Sequence, residues 1–240
     1  GVIGVAVGTA LLPLMSRQLR DHDEGAAMTS LNRALELALF LTIPGALALV
    51  VIPGPIISVL FERGEFDAAA GVATADALVA YSVGLPAYVL VKVLAPGFFA
   101  REDTVTPVKI AALCVAINIA ASVILMGPML HVGVALATSI SAWVNAVLLG
   151  WALARRGHFT ADARLRARTP RILLASIGMA AVLFGGVQLL AGMLAGADAA
   201  RILALVVLIA GGLAAYGVLS LIVGAAVPAE LRGMLRRRGT

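Results

Sequence analysis

The sequence predicts an all-α fold: a polytopic transmembrane helical bundle with about seven membrane helices. Three observations predict it. Of 240 residues, 61% are hydrophobic and only 13% are charged, with a mean hydropathy of +1.03. A soluble domain carries roughly a quarter charged residues, so lipid is the expected solvent for most of this chain. The apolar residues also fall into runs close to the ~20 residues that a helix needs to cross a bilayer. Finally, Lys and Arg collect in alternate loops, as in proteins oriented by the positive-inside rule.

The runs are 1–16, 36–58, 77–99, 108–128, 131–153, 171–195 and 202–227. The first is short and reads as a truncated helix, so the sequence reads as the C-terminal part of a longer protein. Charged breaks separate most of the others: RQLRDHDE at 17–24, FERGEFD at 61–67, REDTVTP at 101–107, RRGHFTADARLRARTPR at 155–171 and AGADAAR at 195–201. The sixth break, GPMLHVG at 127–133, is apolar. Gly127-Pro128 is a strong breaker and predicts a tight hairpin between the fourth and fifth segments. Residues 24–35 read as a polar helical entry to the second segment, lying along the membrane surface. Prolines recur within or beside spans at 13, 44, 53, 86, 96 and 107. Interior prolines remove a backbone hydrogen bond and kink helices, a feature of membrane proteins that change shape.

Seven crossings place fifteen of the 18 basic residues on one side. That side holds Arg17, Arg20, Arg33, Arg101, Lys109, the run from Arg155 to Arg171, and Arg232 to Arg238. The opposite side holds Arg63 and Arg201, beside Glu65 and Asp67. The excess predicts a cytoplasmic C-terminus. It also accounts for the pI near 10.1. Nucleic acid is excluded as a partner, because the basic residues are spread over four loops with no binding motif. Membrane lipids are the expected partners of the basic loop.

Lys92 is the most informative residue. It lies inside the third segment, ~12 Å from the span end at 1.5 Å per residue. No acid in the same span could neutralise it. An intramembrane cation of this kind faces a water-filled cavity and an anionic substrate. Asn118 and Ser122 share one face of segment 4, and Thr138, Ser139, Ser141 and Asn145 line segment 5. Their oxygens suit either Na⁺ or close helix–helix contact. Glu36, near the start of segment 2, complements the positive end of a helix. The single Cys114 excludes an intrachain disulfide. His22, His131 and His158 are too scattered for a metal site. With no nucleophile constellation or P-loop, the chain is not expected to be an enzyme.

Four stretches carry a family resemblance: GVIGVAVGTALLPLMSRQL, FERGEFDAAA, YSVGLPAYVLVKVLAPGFFAREDTVTPVKIA and GPMLHVGVALATSISAWVNAVLL. They resemble the MurJ/MviN family of lipid II flippases, within the MOP exporter superfamily. The resemblance implies fourteen helices: two six-helix lobes around a central cavity, then two extra helices. Residues 1–155 would supply five helices of the C-terminal lobe and 156–170 a basic cytoplasmic loop. Residues 171–227 would form two extra helices with a groove for the undecaprenyl tail, and 228–240 a basic cytoplasmic tail. The implied function is translocation of lipid II across the bacterial cytoplasmic (inner) membrane by alternating access. The N-terminal half of the same protein is the implied partner, carrying the family's cavity arginines. The resemblance assigns substrate contact to Lys92 and Arg101. It assigns a Na⁺ site to Asn118, Ser122, the Val134 carbonyl and Thr138, with Ser122 standing where a carboxylate would strengthen it. Another exporter of the superfamily, for polysaccharide repeats or drugs, is the alternative; a drug antiporter would be expected to carry more intramembrane acids.

Overall fold

The computed structural model describes residues 2–61 and 68–225. The loop residues Arg63, Glu65 and Asp67 and the basic tail at 228–240 lie outside the described residues. The described chain is helical throughout: α1 (Val2–Arg20), α2 (Glu24–Val51), α3 (Pro53–Phe61), α4 (Ala68–Phe99), α5 (Val105–Arg155), α6 (Ala163–Leu189), α7 (Ala191–Leu194) and α8 (Asp198–Ile222). Five helices are long and apolar enough to cross a membrane: α2, α4, α5, α6 and α8.

The 51-residue α5 contains both expected segments 4 and 5. Leu130, with φ 50 and ψ −129, interrupts it. Asn118 pairs with Thr138, Ser141 reaches the Cys114 carbonyl, and Gly133 packs on the backbone of Leu125. These contacts make α5 an antiparallel hairpin of two arms, 105–129 and 131–155. The expected hairpin is therefore present, with its break two residues beyond Gly127-Pro128. A Cβ at Gly133 would overlap the Leu125 main chain, so glycine is what lets the arms close.

Two segment boundaries differ from expectation. Residues 24–35 are not a separate surface helix but the first three turns of α2. The Asp23 carboxylate caps the helix by accepting from the Ala26 N–H at 2.8 Å, and Leu31, Asn32 and Leu35 are buried against neighbouring helices. Likewise, the basic stretch 156–170 is a loop only as far as Asp162. That residue caps α6 by accepting from the Leu165 N–H, so residues 163–170 are helical. At the other end of α2 the helix stops at Ile52, and Pro53 starts α3, a position where its missing N–H costs nothing.

The packing is inverted relative to a soluble core. Ala27, Ala38, Ala87, Ala137 and Ser176 are among the most buried residues, while Leu113, Ile119, Ile124, Phe184 and Leu213 point outward. Small side chains let helices approach, and large apolar ones face the surroundings, as lipid-facing bundles require. The larger core cluster joins α1, α2, α4 and the second arm of α5 through Met15, Leu31, Val93, Phe98 and Leu153. A second joins α2, α6 and α8 through Ile52, Met179, Leu183 and Leu208.

Helix directions follow from the contacts. α4 runs parallel to the second arm of α5: Ser139 donates to the Ala80 carbonyl at 2.6 Å and Trp143 to the Val83 carbonyl at 2.9 Å. Gly84 permits this approach, since a Cβ there would sit 2.6 Å from the Ser139 Oγ. Arg101 meets Glu24, Arg156 meets Asp103, and Arg171 meets the Gly224 carbonyl. The basic residues of α1, α2, α5 and α6, with Arg101 after α4, therefore gather at one end of the bundle. Arg201 lies at the other.

An intramembrane polar cavity and an arginine-rich end

A cavity of about 580 Å³ opens between α4 and the two arms of α5. Three helix faces build it. Tyr88 and Lys92, one turn apart, come from α4. Ala111, Cys114 and Asn118 come from the first arm, and Thr138, Ser141 and Asn145 from the second. The 3.6-residue period places each set on one face.

Lys92 is exposed into this cavity, and among the described residues its ammonium has no acidic partner. α1 fixes where it stands. A Cβ on Gly4 would lie 3.0 Å from the Lys92 Cδ, and one on Gly8 would lie 2.8 Å from the Lys92 carbonyl oxygen. The two glycines thus form a trough that receives the lysine's turn of α4. Among the described residues no carboxylate lines the cavity.

Three of the four expected Na⁺ ligands come together. Asn118 Nδ2 donates to Thr138 Oγ1 at 3.2 Å, and that hydroxyl donates to the Val134 carbonyl at 2.8 Å. Ser122 is half-buried and is not among the cavity-lining residues. Ser141 spends its hydroxyl on the Cys114 carbonyl at 2.7 Å. By contrast, Asn145 Oδ1 is buried without a hydrogen-bond partner among the described residues, and the Tyr88 hydroxyl is buried beside Ser139.

Arg101 sits outside this cavity, in the turn after α4. It donates to the Gly97 carbonyl at 2.8 Å and pairs with Glu24, so it braces α4 against the start of α2. Its Nε is buried without a partner. Next to it, Asp103 accepts from Arg156, which holds its carboxyl well below the usual range. His158 is held below the ordinary imidazole value, first by burial and then by the positive charge of Arg101.

The same end contains a network that the sequence did not announce. Glu36 is twelve residues into α2, not at a helix start, so the helix-end role expected for it is wrong. Its carboxylate accepts from Arg33 at 2.7 Å, from Arg164 at 3.0 and 3.2 Å, and from Arg168. Asp162 takes a second nitrogen of Arg33. Asn32 adds bonds to the Thr160 carbonyl at 3.0 Å and from the Asp162 N–H at 3.2 Å. The network ties α2 to the start of α6 across some 130 residues of chain. One hint was legible: an acid buried in an apolar run needs a cation, and the 155–171 loop is the nearest rich supply.

A smaller apolar cavity of about 220 Å³ lies between α2, α6 and α8, lined by Phe40, Leu41, Met179, Leu183, Leu213 and Tyr216 among others. Tyr216 closes one side, its hydroxyl donating to the Phe40 carbonyl at 2.7 Å. Among the described residues no group of His, Cys, Asp and Glu is placed to hold a metal ion.

A helical bundle with large apolar residues outside, a polar cavity inside and its positive charge at one end defines a multi-pass membrane protein. The comparisons with known proteins give the family. A family model described as lipid II flippase MurJ matches residues 1–221. A probable lipid II flippase MurJ of Rhizobium meliloti is 41% identical over 239 residues, which are 99% of this chain and 45% of that protein. Its counterpart in Vibrio cholerae is 35% identical over 93% of this chain and 43% of its own length. A solved structure of lipid II flippase MurJ in an inward closed conformation superposes with a TM-score of 0.74 at 26% identity, covering 92% of this chain and 43% of that one. The chain belongs to the lipid II flippase MurJ family. It spans less than half the length of these relatives.

Proposed function

We propose that this chain is the C-terminal lobe and terminal helix pair of a lipid II flippase, a transporter rather than an enzyme. The full-length protein moves the undecaprenyl-pyrophosphate-linked peptidoglycan precursor from the inner to the outer leaflet of the bacterial cytoplasmic membrane. The observation that carries this reading is Lys92: a cation in a helix-lined cavity, with no acid to neutralise it. A pyrophosphate head does not cross hydrocarbon unaided. A cationic cavity holds the head while the tail stays in lipid, and rocking of the lobes changes the side of access.

On this reading the chain makes seven crossings: α1, α2, α4, both arms of α5, α6 and α8. The arginine-rich end is cytoplasmic and so is the C-terminus. Arg101 stands at the cytoplasmic mouth, ready to exchange Glu24 for an incoming phosphate. The apolar cavity between α2, α6 and α8 receives the lipid tail. Residues 1–155 act as the lobe, 156–162 link it to the terminal pair, and the upstream half supplies the facing lobe. Asn118, Thr138 and the Val134 carbonyl form the core of a Na⁺ site that lacks a carboxylate, with Ser122 as its outermost member.

The test uses the full-length gene in cells depleted of their own flippase. Lys92→Gln is expected to abolish growth at normal protein levels, while leaving the stability of the purified protein within ~0.5 kcal/mol of wild type, as for a side chain with no acidic partner to lose. Normal growth would remove Lys92 from the mechanism. Lipid II transport measured in Na⁺ and in choline serves the second part: equal rates would exclude Na⁺ at Asn118 and Thr138.

A further inference from the structure

A separate groove lies on the other side of α4 from the polar cavity. Leu90 and Leu94 stand two residues either side of Lys92, and residues two apart do not share a helix face. With α2, the second arm of α5 and the start of α6, they enclose about 480 Å³ at the arginine-rich end. Its floor is apolar: Leu35, Leu94 and Leu165 are buried. Phe159, in the loop before α6, lines its shallow end. Leu90 lies roughly 15 Å from the end of α4 at 1.5 Å per residue, about the depth of one leaflet of the hydrocarbon core.

The charge at the rim is Arg166. The helix period divides the arginines of α6. Arg164 and Arg168, four apart, face Glu36, and Arg166 lies between them on the groove side. It is exposed, and its side chain makes no hydrogen bond or ion pair among the described residues. Thr169, the other polar residue of the lining, spends its hydroxyl on the Leu165 carbonyl at 2.7 Å. Gly150 lines the groove from α5, and the next residue, Trp151, is exposed with the Arg155 guanidinium 5.1 Å from its ring centre. An exposed tryptophan next to an arginine belongs at the head-group level of a membrane. The mouth of the groove therefore opens where lipid head groups lie.

An apolar slot one leaflet deep, with an unpaired cation at its mouth, matches the two parts of a phospholipid. We propose that this groove holds an anionic phospholipid of the leaflet at the arginine-rich end, with one acyl chain over Leu90 and Leu94 and the head-group phosphate on Arg166. A guanidinium takes a phosphate through two parallel N–H bonds. A zwitterionic lipid presents the same phosphate beside its own cation, which repels Arg166, so the charge at the rim selects a net negative head. The lipid would touch α2, α4, α5 and α6 together and seal the junction next to the Glu36 network. The site is distinct from the polar cavity and from the apolar cavity against α8, and it does not depend on which substrate the protein moves.

The test titrates the purified full-length protein in detergent with phosphatidylglycerol or with phosphatidylcholine of the same acyl chains, and counts bound lipid by native mass spectrometry. The wild type is expected to bind phosphatidylglycerol about fivefold more tightly, the worth of one arginine at an anionic surface. Arg166→Gln should remove that preference. Lys109→Gln, at an exposed cation of the same end outside the groove, should keep it. Gly150→Leu should weaken both lipids by filling the slot: a Cβ there meets only Leu94 Cδ1, at an ordinary 3.9 Å, so the added side chain has room to enter. Equal affinity for the two lipids in the wild type would overturn the proposal. So would a preference that survives Arg166→Gln, unchanged binding in Gly150→Leu, or a doubled mass showing a second copy of the protein in place of the lipid. No arm uses lipid II, so failure here leaves the proposed function standing.

Discussion

The two polar regions of this molecule follow opposite rules. Around Glu36 the polar groups are mutually satisfied. One carboxylate takes three arginines, a second acid takes the spare nitrogen of Arg33, and Asn32 binds the loop between them. Around Lys92 there is one cation, no acid among the described residues, and a buried Asn145 oxygen without a hydrogen bond. Charges are expensive out of water unless they are paired and hydrogen-bonded. A region that pairs all of its groups has used them for cohesion. A region that leaves them unpaired carries that cost until something arrives. On the proposed function, the contrast separates the part of the molecule that holds its shape from the part that would meet a substrate.

The comparison breaks most readily at Glu36. Glu36→Gln removes the carboxylate charge shared by Arg33, Arg164 and Arg168, the last only 10% exposed. The expected loss is about 3–5 kcal/mol, the usual consequence of removing one partner of a buried ion pair. It would be read as a fall in melting temperature in detergent, with cavity binding of lipid unchanged in whatever protein stays folded. An unaltered melting temperature would dissolve the distinction between the regions. Asp162→Ala should come next, at about 1–2 kcal/mol, mostly from the lost helix cap. Its ion pair with Arg33 is one-third exposed on both sides and adds little.

Acidification is the mildest probe. His158 is held below its ordinary value, so its neutral form favours the fold above pH ~6.5 and that contribution is lost as pH falls through the depressed value. Asp103 is also depressed, by Arg156, so its contribution is present at neutral pH and disappears only in stronger acid, below pH ~4. A melting curve taken from pH 7.5 to 5 should therefore fall by less than the Asp162→Ala loss. His158→Gln should flatten that slope, and a slope that survives the substitution would assign it to another group.

Much of this was legible in the residues. Run lengths predicted about seven membrane helices and located the five that are long and apolar enough to cross, and Gly127-Pro128 located the hairpin to within two residues. The alternation of Lys and Arg foretold the gathering of positive charge at one end. Asn118 and Thr138 could be paired because a tight hairpin makes its arms neighbours. Glu36 could not be matched with Arg164 and Arg168, because hydropathy says nothing about which of two distant helices will touch. The start of α2 was misplaced for a related reason: residues 24–35 are polar by composition, yet Leu31 and Leu35 are buried by neighbours that only the fold supplies. Tyr88 was hidden by being ordinary: it carries no charge, and its place at the cavity is a property of the packing.

The Glu36 knot has a mechanical meaning. It fastens α2 to α6 at one end; on the proposed reading α2 belongs to the lobe and α6 opens the terminal pair. Ile52 packs on Met179 and Leu183 further along the same two helices. Two helices held at separate points turn together. Whatever tilts the lobe must carry the terminal pair with it, like an oar fixed in its lock. The span between the apolar cleft against α8 and the cationic cavity behind α4 then stays constant through a stroke. A guest occupying both would be measured along its length, and only one with the right reach from tail to head would fill them together.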